Sequence, residues 1–155
     1  MSSVTHNGKI KLALINGPNL NMLGLRETDI YGSHGLDEIE TNLKRKAENL
    51  GAELICFQSN HEGRIIDFIH DLRGETNGII ANLGAYTHTS VAIRDAIKSI
   101  DQKVWEVHIS NVYKREDFRQ VSYICDIAEA VISGLGVLGY DAALDHAISI
   151  LKPEV

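Results

Sequence analysis

Five short apolar runs alternate along the chain with stretches whose apolar residues recur at helical spacing. That alternation admits few folds. The runs are Ile10–Ile15, Ala52–Phe57, Ile79–Ala81, Lys103–Ile109 and Ala130–Ser133. They read as strands buried on both faces, the pattern of a parallel sheet with helices packed on either side. The helical stretches are Leu36–Leu50, Glu62–Leu72, Val91–Ile100, a short one within Phe118–Glu129, and Gly139–Leu151. In the first, Leu36, Ile39, Leu43, Ala47 and Leu50 form one stripe, and Gly51 follows as a stop signal. The expectation is an α/β, flavodoxin-like sheet of order 2-1-3-4-5, with all of residues 1–155 in one domain.

Such sheets bind ligands where strands end and strand order reverses. The stretch Gly78–Ser90 has that form. A buried run stops at polar Asn82, a glycine turn follows, and Thr87, His88, Thr89 and Ser90 precede the next helix. Ser and Thr at such a start can cap free backbone N–H groups. The expected order also places the loops after strands one, three and four side by side.

Two of those loops carry chemistry. Glu106, His108 and Ser110 occupy alternate positions on strand four, so their side chains point to one face. A carboxylate beside an imidazole fixes its tautomer, which suits a general acid; a plain ion pair is the alternative. Arg115 and Arg119 follow on an expected helical turn, four apart and so on one face, and read either as clamps for an anion or hydroxyls or as ordinary surface charges. After strand one the chain runs from Asn16 to Gly35 before helical pattern returns, against the ~2–6 residues usual in such units. Segment 17–35 is read as a lid, surface irregularity being the alternative. It carries Arg26 and Tyr31. A tyrosine, with its ordinary pKa of ~10, is a poor base until a cation stabilises the phenolate.

Composition removes other classes. A net charge of −6 argues against a general nucleic-acid or membrane binder. Residues 1–8 are polar, without a signal-peptide core, and read as a flexible start to a cytoplasmic protein. Cys56 and Cys125, both in apolar stretches, are expected as buried reduced thiols. The seven histidines form no metal motif, so no metal and no cofactor are expected. Gly134–Gly139 matches G-x-G-x-x-G but follows the last strand, where a tight strand-to-helix turn is the better reading.

Several motifs in order resemble the type II 3-dehydroquinate dehydratase family. They are Asn16-Gly17-Pro18-Asn19-Leu20-Asn21, Arg26-Glu27, Tyr31-Gly32, Gln58-Ser59-Asn60, Asn82, Thr87-His88-Thr89-Ser90, Arg94-Asp95, Glu106-Val107-His108-Ile109-Ser110-Asn111, Arg115 and Arg119. The resemblance spans about Leu12 to Ile148. It implies anti elimination of water from 3-dehydroquinate through an enolate to give 3-dehydroshikimate, in the shikimate or the quinate pathway. It also implies Tyr31 as base, Arg26 as its partner, Asn19 positioning a water at the enolate oxygen, and His108 as acid oriented by Glu106. Ile109 and Ser110 are implied to hold the substrate carboxylate. Asn82, His88 and Arg119 are implied to bind carboxylate and hydroxyls, with Arg115 closing the lid. Asp95 is implied to reach a neighbouring subunit's site in a trimer or dodecamer, a tetramer of trimers. The chain departs from the family at Thr28, where proline is usual, and at Met22, Tyr113 and Ser33-His34-Gly35. Losing the fixed φ of proline is expected to loosen the lid.

Overall fold

The computed structural model describes residues 8–25, 29 and 35–154. Five strands form one parallel sheet: β1 (Ile10–Asn16), β2 (Ala52–Gln58), β3 (Gly78–Asn82), β4 (Lys103–His108) and β5 (Ala130–Ser133), in the order β2-β1-β3-β4-β5. The expected topology holds. Four α-helices are described: α1 (Leu36–Asn49), α2 (Glu62–Asp71), α3 (Val91–Ser99) and α4 (Leu138–Leu151).

The two-residue period of the strands sorts the core into two layers. Leu12, Leu14, Ile80, Trp105 and Val107 pack with Leu36, Ile39 and Leu43 of α1 and with Tyr140, Ala143 and Leu144 of α4. Ala13, Ile15, Ile79, Ala81 and Val104 pack on the other face, with Ile65 and Ile69 of α2 and Ile93 and Ile97 of α3. Both layers are built mainly on β1, β3 and β4, buried on both faces as their continuous apolar runs require, while the edge strands β2 and β5 expose Glu53 and Val131. Gly51 ends α1 in the left-handed region at φ 78°, as its position in the sequence implied. Ser90 caps α3, accepting the Ile93 N–H at 2.9 Å.

Three expectations need correction. The helix placed within Phe118–Glu129 is a single 3₁₀ turn, Asp117–Gln120, followed by irregular chain. Ser122 explains the break: its Oγ accepts the N–H groups of Ile124 and Cys125, both at 3.1 Å, offering the backbone an alternative to helical bonding. Cys125 is therefore exposed rather than buried, although both cysteines are free thiols. Cys56 is half-buried, and burial pushes its thiol up to about 12. Arg115 and Arg119 do not share one helical turn, since Arg115 ends the 3₁₀ turn Val112–Lys114 and Arg119 sits in the next.

The glycine-rich turn 134–139 is a connector, as read. Gly134 and Gly136 adopt φ of 90° and 63°. Their N–H groups bond to the carbonyls of His108 (3.2 Å) and Ile109 (2.9 Å), tying down the chain where it leaves β4.

Candidate active site

The carboxyl ends of β1, β3 and β4 meet at a cleft lined by Pro18, Asn19, Leu20, Leu23, Asn82, Gly84, Ala85, His88, Ile109, Val112, Arg115 and Arg119. Two loops that supply lining residues approach each other closely. Gly17 N–H donates to the Asn82 carbonyl at 2.8 Å, and a Cβ on Gly17 would lie 2.1 Å from the Leu83 carbonyl oxygen. Only glycine lets the loops meet so closely. Asn19 adopts φ 69°, a left-handed conformation asparagine tolerates, and its N–H is held by Asn60 Oδ1 at 2.9 Å. Asn60 in turn receives Gln58 Nε2 at 3.2 Å, so the end of β2 braces the β1 loop.

Glu106 and His108 are buried on the same face of β4, with Glu106 Oε2 3.4 Å from His108 Nε2. The other carboxylate oxygen, Oε1, accepts the Ser122 hydroxyl. His88 stacks beyond them, its ring centroid 6.2 Å from that of His108 at an interplanar angle of 19°. His88 Nδ1 lies 2.6 Å from the Val121 carbonyl, which can only accept, so Nδ1 carries the proton. Burial pushes His88 below the ordinary imidazole value, and the nearby His108 and Arg119 add to that against the Val121 bond. Neutral His88 therefore presents an Nε2 lone pair, an acceptor for a ligand hydroxyl. In histidine-labelled protein, His88 is expected to titrate clearly below ~6.5, the ordinary value. Titration at or above that value contradicts this reading.

The cations sit opposite. Arg115 Nη1 donates to Ser110 Oγ at 3.4 Å. Arg119 Nε donates to Glu116 Oε2 at 2.6 Å, which holds the Glu116 carboxyl below its usual range. Two guanidinium groups with hydrogen-bond donors around Ile109 and Ser110 suit a small anionic, hydroxylated ligand. Two guanidinium groups and the His88 imidazole thus face one cleft, with the Glu106–His108 pair behind His88.

Comparison with known proteins shows the family of the chain. Residues 10–148 match the family model of dehydroquinase class II. The chain belongs to that family. It is 55% identical over 142 residues to the catabolic 3-dehydroquinase of Emericella nidulans, covering 92% of this chain and 93% of the relative. It is 52% identical over 145 residues to the 3-dehydroquinate dehydratase of Prochlorococcus marinus, covering 94% and 97%. The crystal structure of type II dehydroquinase from Butyrivibrio crossotus superposes with a TM-score of 0.87 at 45% identity, covering 90% of this chain and 97% of that one.

Of the residues singled out from the sequence, Asn19, Asn82, His88, Ile109, Arg115 and Arg119 line the dehydroquinase cleft, with Glu106 and His108 behind His88 and Ser110 beside Arg115. Arg26 and Tyr31 lie outside the described residues, as do Glu27, Thr28, Ile30 and residues 32–34 of the expected lid. Asp95 stands apart, exposed on α3. It does not share a helix face with His88, because His88 ends a separate 3₁₀ turn, Gly84–His88.

Tyr140 is a residue the sequence reading missed. It is fully buried on α4, where its hydroxyl accepts Asn82 Nδ2 at 2.8 Å and donates to Asn16 Oδ1 at 2.6 Å. Gly84 N–H reaches Asn82 Oδ1 at 3.3 Å, so both ends of the Asn82 amide are held. Tyr140→Phe orphans two buried groups, each expected to cost about 1–3 kcal/mol. Urea denaturation tests this; a loss below ~0.5 kcal/mol, the usual range of a neutral surface change, contradicts it.

Proposed function

We propose that this chain dehydrates 3-dehydroquinate to 3-dehydroshikimate by anti elimination through an enolate, as a hydro-lyase. The observation that carries the reading is the buried Glu106–His108 pair at the end of β4, stacked behind His88 of a cleft that Arg115 and Arg119 also line. The substrate is a small carboxylate with hydroxyls and a ketone. A base removes the C2 proton, and the electron pair moves onto the C3 carbonyl oxygen. The enolate then collapses, C1=C2 forms, and the C1–O bond breaks as an acid protonates the departing hydroxyl.

Tyr31 is the proposed base, with Arg26 stabilising its phenolate, and His108 is the acid, oriented by Glu106. Asn19 positions a water at the enolate oxygen, the kind of electrostatic stabilisation that is commonly the largest single contribution to rate. The Ile109 backbone N–H and the Ser110 hydroxyl take the carboxylate. Asn82, His88 and Arg119 take carboxylate and ring hydroxyls, and Arg115 closes over them. A proton is taken from C2, the C1 hydroxyl leaves as water and no oxidation or reduction of the protein occurs, so the step calls on no cofactor. The reaction serves aromatic biosynthesis and quinate breakdown alike.

The proposal extends to a single-domain chain acting as a homo-oligomer, a trimer or dodecamer, in the cytoplasm. Asp95, exposed on α3 and apart from its own cleft, is available to a neighbouring copy. Among the described residues, no helix is long and apolar enough to cross a membrane. Purified protein given 3-dehydroquinate is expected to generate the ultraviolet absorbance of a conjugated enone. Absence of that signal from folded protein contradicts the function.

A further inference from the structure

We propose that Ser122 is a positioning residue for the dehydration: its hydroxyl locks the Glu106 carboxylate and, through it, the tautomer of His108. The inference rests on the polarity of the hydrogen bonds. Ser122 Oγ accepts two backbone N–H groups, from Ile124 and Cys125, each at 3.1 Å. A serine oxygen has two lone pairs, and both are then occupied. Its one proton goes to Glu106 Oε1. That oxygen must accept, which leaves Glu106 Oε2 as the oxygen facing His108 Nε2 at 3.4 Å. An accepting carboxylate oxygen there calls for Nε2 to carry a proton. Nδ1 is then the nitrogen left to exchange a proton with substrate.

Burial gives the arrangement its force. Glu106 and His108 are only 2% and 6% exposed, so water competes poorly for either. The carboxylate has rotational freedom about its last torsion, and no rotamer well of the glutamate alone fixes its plane. Ser122 supplies that constraint from the irregular segment after the Asp117–Gln120 turn. The same two N–H bonds that keep this segment from being helical orient the serine. The segment also carries Val121, whose carbonyl sets the tautomer of His88. One short stretch thus fixes the protonated nitrogen of both imidazoles. This deepens the proposed function, because it presumes His108 as the acid.

The test combines histidine nitrogen NMR of the intact protein with steady-state kinetics. His108 resonances are assigned by their loss in His108→Asn. In wild-type protein the neutral form of His108 is expected to carry its proton on Nε2, a second proton on Nδ1 being the one given to the leaving hydroxyl. Ser122→Ala is expected to mix the tautomers and to lower kcat about ten- to hundredfold, the range for losing one hydrogen bond to a charged group. KM should hardly move, since Ser122 does not line the cleft. Ser122→Thr, which keeps the hydroxyl, should restore the Nε2 tautomer and most of kcat. His108 protonated at Nδ1 in the wild type overturns the proposal and needs no variant to fold. So does a folded Ser122→Ala protein with an unchanged tautomer. A shifted tautomer with unchanged kcat shows that the lock has no part in turnover and overturns Ser122 as a positioning residue, while the acid role of His108 is judged separately by His108→Ala.

Discussion

Replacement of His108 by alanine is expected to lower kcat by about 10²–10⁴, the usual contribution of a positioned general acid or base. The hydroxyl on C1 is a poor leaving group unless it departs as water, so the loss falls on the step that breaks C1–O. Substrate affinity should survive, because the cleft lining is Asn82, His88, Ile109, Arg115 and Arg119 rather than His108. Stability should fall modestly, since Glu106 keeps its bond to Ser122 and loses only the imidazole. Steady-state rates with circular dichroism and calorimetric binding of a substrate analogue check all three. A folded His108→Ala protein within about tenfold of wild-type kcat removes His108 from the acid role.

Tyr31→Phe is expected to abolish turnover with binding largely retained. Near pH 7 a phenol with its ordinary pKa of ~10 is ionised about one part in a thousand. Each unit by which a guanidinium lowers that value raises the phenolate fraction up to about tenfold, worth ~1.4 kcal/mol. Arg26→Ala should therefore lower kcat and move the basic requirement of the rate profile to higher pH. Arg26→Lys should rescue only in part, as an ammonium lacks the planar fork. Rate against pH for wild type and the three variants is the measurement. Tyr31→Phe retaining more than about a hundredth of wild-type kcat excludes Tyr31 as base.

The frame of the site was legible because it rests on local periodicities. Alternation of buried runs with helical stripes gave the sheet order, and the two-residue spacing put Glu106 and His108 on one face, 3.4 Å apart in the fold. What escaped depends on contacts distant in sequence or on side-chain competition with the backbone. Tyr140 lies 124 residues from Asn16 and 58 from Asn82, and in the sequence it is one more apolar residue on an amphipathic helix. Ser122 sits in a stretch of plausible helical pattern, and only its capture of two N–H groups shows why no helix forms. A spacing of four puts Arg115 and Arg119 on one helical face, yet they reach the same cleft from two different turns. Glu116, between them and bonded to Arg119, went unremarked because an acidic residue beside arginines reads as surface charge.

The stereochemistry of proton loss tests the central claim most directly. 3-Dehydroquinate carrying deuterium only at the C2 position anti to the leaving hydroxyl is converted by the enzyme, and the product is weighed by mass spectrometry against a control without enzyme. Anti elimination predicts 3-dehydroshikimate that has lost the deuterium, with slowed turnover if C–H cleavage limits the rate. Product that retains the deuterium would mean the opposite hydrogen was taken, and the account of the site given above would be wrong.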